Sequence, residues 1–148
     1  MKMVDVGAKE RTERVARATA VLRMKPATVK AVKAGKVEKG NVLEAARLAA
    51  VMAAKRTPDL VPLCHPLALT AVTPELSFGR DCLKVAVTVK TTDRTGVEME
   101  ALTACAAAAL TAYDMLKSMD RGMVVEALRL EEKRGGRSGT WVRGREKA

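Results

Sequence analysis

The sequence predicts an α+β fold in which helices cover one face of an antiparallel four-stranded sheet. Residues 82–90 show the clearest alternation of apolar and polar side chains, which is typical of a half-buried strand. Residues 95–117 read as one long helix, with no charged side chain between Glu100 and Asp114. The segments follow in the order strand, helices, strand, strand, helix, strand. This order is the ferredoxin-like βαββαβ arrangement.

The other predicted elements are bounded by turn residues. Strands are expected at residues 18–24, 67–78 and 123–131, and the pair 67–78 and 82–90 forms a hairpin. A short helix precedes Gly35, and Asn41 is a good N-cap for a helix over 42–55. Three prolines within 58–66 predict an extended loop without regular structure. The uncovered sheet face is expected to be apolar, which favours an oligomer.

A length of 148 residues suits a single domain. Residues 1–16 are charged and weakly periodic, so we predict a mobile N-terminal arm. Residues 133–148 form a basic C-terminal tail.

The net charge of +10, from 27 basic and 17 acidic residues, predicts an anionic partner. Nucleic-acid modules without a recognition helix stack bases on aromatic side chains, and here only Phe78, Tyr113 and Trp141 are aromatic. A small polyanion is therefore favoured over nucleic acid. A nucleic-acid module on the same topology and a ligand-sensing regulator are the alternatives.

The three cysteines show no C-x-x-C spacing, and the chain has one histidine. We therefore expect reduced thiols and no structural metal. No apolar run approaches the ~20 residues that span a bilayer, and the N-terminus has no apolar signal region. We expect a cytoplasmic protein that does not contact a membrane.

The long helix carries candidate chemistry at both ends. Asp114 and Lys117 share one side of it, either as a proton-transfer pair or as a plain surface ion pair. Glu98 either caps the helix through the T-x-x-E pattern or faces a ligand, whereas Glu100 has no capping role. Glu98 and Asp114 are sixteen residues apart, or ~24 Å along a helix. One small ligand cannot touch both within a chain, so a shared site requires two chains.

Three further places could bind an anion or move a proton, each with a simpler alternative. His65 is either an acid/base group or an ordinary loop histidine, and Cys64 beside it is interpreted as packing. Lys39, just ahead of a helix start, is either a phosphate ligand or a solvated lysine. Residues 133–139 (KRGGRSG) offer glycines, cations and a hydroxyl that suit a phosphate nest, or form a flexible tail.

Together these segments resemble the MoaC family, the cyclic pyranopterin monophosphate synthases of molybdenum cofactor biosynthesis. The resemblance covers nearly the whole chain. Its motifs are MVDV at 3–6, KRTPDLVPLCHP at 55–66, TGVEMEALT at 95–103, YDMLK at 113–117 and the glycine-rich tail at 133–139. The sequence departs from the family pattern at Arg134, where the family usually has a small residue.

The resemblance implies a lyase that converts 3′,8-cyclo-7,8-dihydroguanosine triphosphate to cyclic pyranopterin monophosphate and releases pyrophosphate. It implies Asp114 and Lys117 as catalytic residues. It also implies hexamers, built as trimers of dimers with sites between subunits. No redox cofactor is needed, and the sequence does not decide whether Mg²⁺ accompanies the triphosphate. The implied substrate-binding residues are Leu63, Cys64, His65, Met99, Glu100, Glu98, Lys39 and Lys133.

Overall fold

The structure is a computed structural model that describes residues 1–145. The last three residues of the predicted basic tail lie outside the described part. In chain order the elements are β1 (Thr12–Arg23), α1 (Pro26–Lys33), α2 (Val42–Lys55), α3 (Thr57–Leu60), β2 (Leu69–Phe78), β3 (Cys82–Asp93), α4 (Glu98–Leu116), β4 (Val124–Arg134) and β5 (Trp141–Val142).

The strands form one antiparallel sheet in the order β2-β3-β1-β4-β5. The α+β class and the hairpin of β2 with β3 are confirmed. The prediction of four strands is wrong, because β5 pairs with Glu132 and Lys133 at the end of β4. A strand of two residues is too short to show alternation, so the sequence of the tail gave no signal for it.

Two other boundaries differ from the prediction. β1 begins at Thr12, so residues 12–16 belong to the central strand and not to an arm. The charged residues of this segment hid the strand from the apolar pattern. One of them, Arg14, is nevertheless buried within the strand. The loop over 58–66 contains α3, whose Pro58 lies in the first turn, where a missing N–H breaks no helical hydrogen bond.

Small side chains bring α4 close to the sheet and to α2. On β1 the covered residues are Ala16, Ala18, Ala20 and Leu22, all buried. The facing residues of α4 are also small and buried: Ala101, Ala104, Cys105, Ala108 and Ala112. Alanines at 46, 50 and 54 of α2 complete this packing. One face of the uncharged part of α4 is therefore buried, whereas Leu110 in the same part is exposed.

The uncovered face of the sheet is polar, contrary to our expectation. Arg17 pairs with Glu75 at 2.5 Å, and the Thr19 hydroxyl donates to Glu131 at 2.6 Å. The outward positions of the strands carry such residues because they face water. Large exposed apolar side chains on the helices are Leu48, Met52, Leu60, Met99 and Leu110, and β4 carries Val124 and Leu128. None of the helices described is long and apolar enough to cross a membrane.

The first prediction concerns Asp120, a buried carboxylate that fixes the start of α1. It accepts hydrogen bonds from the Lys25 backbone N–H at 2.9 Å and the Thr28 hydroxyl at 3.0 Å. Asp120→Ala should lower the free energy of unfolding by about 2 kcal/mol, because two buried donors lose their acceptor. Urea denaturation measures this. The control Asp81→Ala, which removes an exposed ion pair with Arg23, should change it by less than about 1 kcal/mol, and equal losses would contradict the assignment.

Candidate active site

A cavity of about 460 Å³ lies at the N-terminal end of α4 and is called the front cavity here. Five predicted site residues line it: Leu63, Cys64, His65, Glu98 and Met99. Its other lining residues are Lys2, Val4, Val6, Lys9, Val61, Thr95 and Gly96. The proline-rich loop and the start of α4 therefore converge at this cavity.

The N-terminal segment forms one wall of the front cavity. Val4 and Val6 lie in the MVDV motif, and the Arg94 side chain donates from Nε to the Lys9 carbonyl at 3.2 Å. Composition suggested only a charged arm, so sequence reasoning missed this contribution of side chains to the site. The mobility of residues 1–11 stays a prediction.

Glu98 is the first residue of α4 and does not form the proposed capping box. The N-cap is Val97, and it makes no side-chain cap hydrogen bond. The Glu98 carboxylate instead folds back over Gly96, where an added Cβ would lie 2.2 Å from Oε2. Gly96 therefore leaves room for this carboxylate beside the front cavity.

Glu100 points into the protein and is 1% exposed. Its Oε1 accepts from the Cys64 thiol at 3.5 Å, and its Oε2 is buried without a partner among the described residues. Burial raises the pKa of Glu100, which favours the neutral acid. Burial is the largest cause that raises the pKa of the Cys64 thiol to about 11. Cys64 is therefore a neutral thiol that contacts a candidate site residue, and its role extends beyond packing.

His65 lies half-buried on the loop before β2 and lines the front cavity. Within residues 1–145 its imidazole has no hydrogen-bond partner. The carbonyl of His65 accepts a weak bond from the Cys64 sulfur at 3.8 Å. Both ring nitrogens are free to contact a ligand.

A second cluster, called the back cluster here, consists of Lys39, Asp114 and Lys117. Each lysine Nζ lies 2.7 Å from a different oxygen of Asp114, and all three side chains are about half exposed. Lys117, followed by Lys39, lowers the pKa of Asp114 to about 2. The carboxylate is thus ionised at neutral pH. The surface ion pair we considered is present, but the second lysine leaves the cluster with a net positive charge.

Lys133 lies near the front end of the sheet. It pairs with Ala16 on the covered side of β1, and its Nζ donates to the Gly135 carbonyl at 2.9 Å and to the Ser138 hydroxyl. The neighbouring Arg134 faces the uncovered side, where it bonds Glu132. The unusual residue at 134 therefore points away from the covered side that carries Lys133.

The predicted site residues fall into two sets at opposite ends of α4. The front set is Leu63, Cys64, His65, Glu98, Met99, Glu100 and Lys133, and the back set is Lys39, Asp114 and Lys117. The continuous helix separates Glu98 from Asp114 by ~24 Å. Sequence spacing alone did not place Lys39 beside Asp114, because that contact joins residues 75 positions apart.

Both sets lie within the region that matches a known family. The model of the MoaC family matches residues 3–136. The chain belongs to the MoaC family. All ten predicted site positions, from Lys39 to Lys133, lie inside the matched region.

Three relatives within the MoaC family are each named cyclic pyranopterin monophosphate synthase. The protein from Novosphingobium aromaticivorans is 56% identical over 95% of this chain and 89% of its own length. That from Streptomyces avermitilis is 52% identical over 96% and 84%, respectively. That from Thermomicrobium roseum is 54% identical over 96% and 87%. The similarity extends over both sets of site residues.

No group of three His, Cys, Asp or Glu side chains within residues 1–145 is placed to hold a metal ion. The three cysteines are free thiols, and burial raises the pKa of Cys105 to about 12. The groups available for chemistry in the described site are therefore carboxyls, amines, a thiol and one imidazole.

The second prediction concerns the stability cost of Glu100. Its raised pKa means that the folded chain retains a proton that the unfolded chain releases above the ordinary value of 4.5. Stability therefore falls as pH rises above that value, by about 1.4 kcal/mol per pH unit, until the native carboxyl ionises. The Glu100→Gln variant does not have this loss. The Tm of the variant minus that of wild type should therefore increase as the pH is raised from 4.5 to 7.

Thermal unfolding at a series of pH values measures the difference. The matched control is Glu38→Gln, which changes an exposed carboxylate, and its Tm difference should vary less with pH. A Glu100→Gln difference that is independent of pH would show that burial does not perturb this carboxyl.

Proposed function

We propose that this chain is a cyclic pyranopterin monophosphate synthase. It converts 3′,8-cyclo-7,8-dihydroguanosine triphosphate to cyclic pyranopterin monophosphate and releases pyrophosphate. The observation that carries the proposal is the split set of acid/base groups at MoaC-family positions. A buried carboxyl with a raised pKa and a histidine without a partner in the described chain lie at one end of α4, and a carboxylate between two lysines lies at the other.

The back cluster suits proton transfer to and from the ribose-derived part of the substrate. Ionised Asp114 holds the amines of Lys39 and Lys117 in place by direct ion pairs. When a ligand enters, Lys117 can give a proton to it or take one from it, while Asp114 stabilises the ammonium form. Both catalytic residues are solvent-accessible in the single chain, so a substrate can reach them.

The front cavity suits the guanine-derived ring. Glu100 lies behind the lining of this cavity and contacts it through the Cys64 thiol, which donates to Glu100 Oε1. His65 can serve the same ring from the loop, because no described residue occupies its imidazole. The exposed Leu63 and Met99 supply apolar contacts to the face of a planar ligand.

The triphosphate requires cations, which several residues provide. Lys133 and Arg137 lie on the glycine-rich tail at the front, and Lys39 belongs to the back cluster. Their charge would stabilise the negative charge that develops on the leaving pyrophosphate. The reaction rearranges electrons within the substrate, so the proposal needs no redox cofactor.

The separation of the two sets supports a site shared between two chains. If two α4 helices approach antiparallel, the front of one meets the back of the other. The exposed apolar residues of the helical side, including Leu110 and Met99 on α4, suit burial in such a contact. We propose a hexamer formed as a trimer of dimers, in which β1 to β4 are a ferredoxin-like core extended by β5.

The third prediction tests the catalytic pair. Asp114→Asn and Lys117→Ala should each reduce the rate of pyrophosphate release from the cyclised nucleotide by roughly a hundredfold or more, since each removes a proton-transfer group. Asp81→Asn is the matched control, because it also neutralises a half-exposed carboxylate paired with a cation. Full activity in both Asp114→Asn and Lys117→Ala would end this assignment.

The fourth prediction tests the shared site. Glu100→Gln and Asp114→Asn should each be inactive, because each damages one half of every site. After subunit exchange, about a quarter of the sites combine an intact front with an intact back. Mixed subunits should therefore regain about a quarter of wild-type activity. Exchange is verified by mass spectrometry of differently labelled chains, and complete exchange without recovery would assign each site to a single chain.

A further inference from the structure

Asp120 joins the end of α4 to the start of α1. It lies three residues beyond Lys117, in the turn after α4, and is 3% exposed. Its backbone N–H donates to the Leu116 carbonyl at 3.1 Å, which attaches it to the last turn of α4. Its Oδ2 accepts from the Lys25 N–H at 2.9 Å and from the Thr28 hydroxyl at 3.0 Å. One buried carboxylate therefore bonds to both helices.

The helix α1 has few other attachments to the rest of the protein. Only Thr28 and Val29 of its eight residues are buried, and Thr28 is one of the two donors to Asp120. The N-cap residue, Lys25, provides no side-chain cap. The carboxylate of Asp120 takes the place of such a cap, and its negative charge suits the N-terminal end of the helix dipole. The placement of α1 therefore depends strongly on Asp120.

The chain that follows α1 carries one of the three members of the back cluster. This loop runs from the end of α1 to Asn41, and it contains Lys39. The Lys39 Nζ donates to the Asp114 carbonyl at 3.2 Å and to its carboxylate at 2.7 Å. The other two members, Asp114 and Lys117, belong to the end of α4. The back cluster thus combines two chain segments, and Asp120 holds those same segments together.

Tyr113 fixes the turn after α4 from a second direction. Its hydroxyl donates to the Arg121 carbonyl at 2.9 Å, and its own carbonyl accepts from the Lys117 N–H at 2.8 Å. Lys117 therefore lies between two residues, Tyr113 and Asp120, that each hold this turn in place.

We propose that Asp120 is a positioning residue for the back cluster. By holding the start of α1 against the end of α4, it places Lys39 and Lys117 on the two carboxylate oxygens of Asp114. Asp120 is buried, so it acts through these residues and does not meet a ligand itself. Its effect on catalysis rests on the proposed function, whereas its effect on the geometry of the cluster does not.

The first measurement is the pKa of Asp114, which Lys117 and Lys39 lower to about 2. The chemical shift of its carboxyl carbon follows this pKa in the full chain, and Asp114→Asn assigns the signal. In Asp120→Ala the pKa should rise toward the ordinary value of 3.8, because the two lysines are no longer held beside the carboxylate. Loss of the Asp120 charge alone would lower it, since a nearby like charge raises a carboxyl pKa. A rise therefore reports displaced lysines.

Two control variants separate positioning from charge and from stability. Asp120→Asn removes the charge, but both hydrogen bonds end on Oδ2 and an amide oxygen can accept them, so the pKa of Asp114 should stay at about 2. Val87→Ala leaves a cavity in the core and should lower Tm. Val87 lies beside Cys105, nine residues before Asp114 on α4, so the Asp114 pKa should not change. An unchanged pKa in Asp120→Ala, or an equal rise in Val87→Ala, would overturn the proposal.

A milder variant keeps the test decisive if Asp120→Ala does not fold. Thr28→Val removes one of the two hydrogen bonds to Asp120 and retains the side-chain volume. The pKa of Asp114 should rise in the same direction by a smaller amount. No rise in this variant would then refute the positioning role.

The second measurement is the rate of pyrophosphate release at saturating cyclised nucleotide, at a temperature where every variant is folded. Asp120→Ala should lower the rate by roughly tenfold or more, because small displacements of catalytic groups are costly. Asp120→Asn should restore it to within about threefold of wild type, and Val87→Ala should retain it.

The two measurements separate this inference from the proposed function. A wild-type protein that does not turn over the cyclised nucleotide, together with a raised Asp114 pKa in Asp120→Ala, would refute the reaction and retain the positioning role. Normal turnover and an unchanged Asp114 pKa in Asp120→Ala would refute the positioning role and retain the reaction.

Discussion

The close packing of α4 against β1 and α2 determines where every candidate group lies. Alanines on all three elements remove the bulk that would hold the backbones apart, and the resulting core keeps α4 as one continuous helix. A helix fixed along its whole length has ends that cannot approach each other. The front cavity and the back cluster are therefore separated by a rigid distance of ~24 Å. Any ligand that needs both sets must bring two chains together.

The two ends of α4 differ in electrostatic character because they differ in solvation. Asp114 is exposed between two lysines, and those ion pairs lower its pKa to about 2. Glu100 is enclosed beside a neutral thiol, and burial raises its pKa. The pKa values of two carboxyls on one helix are thus shifted in opposite directions, an arrangement that acid/base chemistry uses.

The sequence predicted the features that depend on local periodicity. The hairpin of β2 with β3 and the Asn41 cap of α2 follow from alternation and turn residues, and the structure confirms both. The contact of Lys39 with Asp114 could not be predicted in this way, because it depends on how separate elements pack. The predicted start of β1 lies too far along the chain. The reason is that Arg14, a charged residue, is buried in the strand and interrupts its apolar pattern. The family resemblance, based on whole motifs, supplied predictions of site residues that periodicity could not.

Arg14, the charge that interrupts the apolar pattern of β1, is also one of a group of buried polar residues with an unpaired atom. The buried side-chain atoms that lack a partner in the described chain are Thr12 Oγ1, Arg14 Nε and Glu100 Oε2, and all three lie at the front end of α4. Each lowers the stability of the free protein, since a buried polar group gains nothing from water or from a neighbour. A fold limited only by stability would replace them with apolar side chains. Thr12 and Arg14 line a cavity at this end, so a polar ligand bound there would satisfy both atoms.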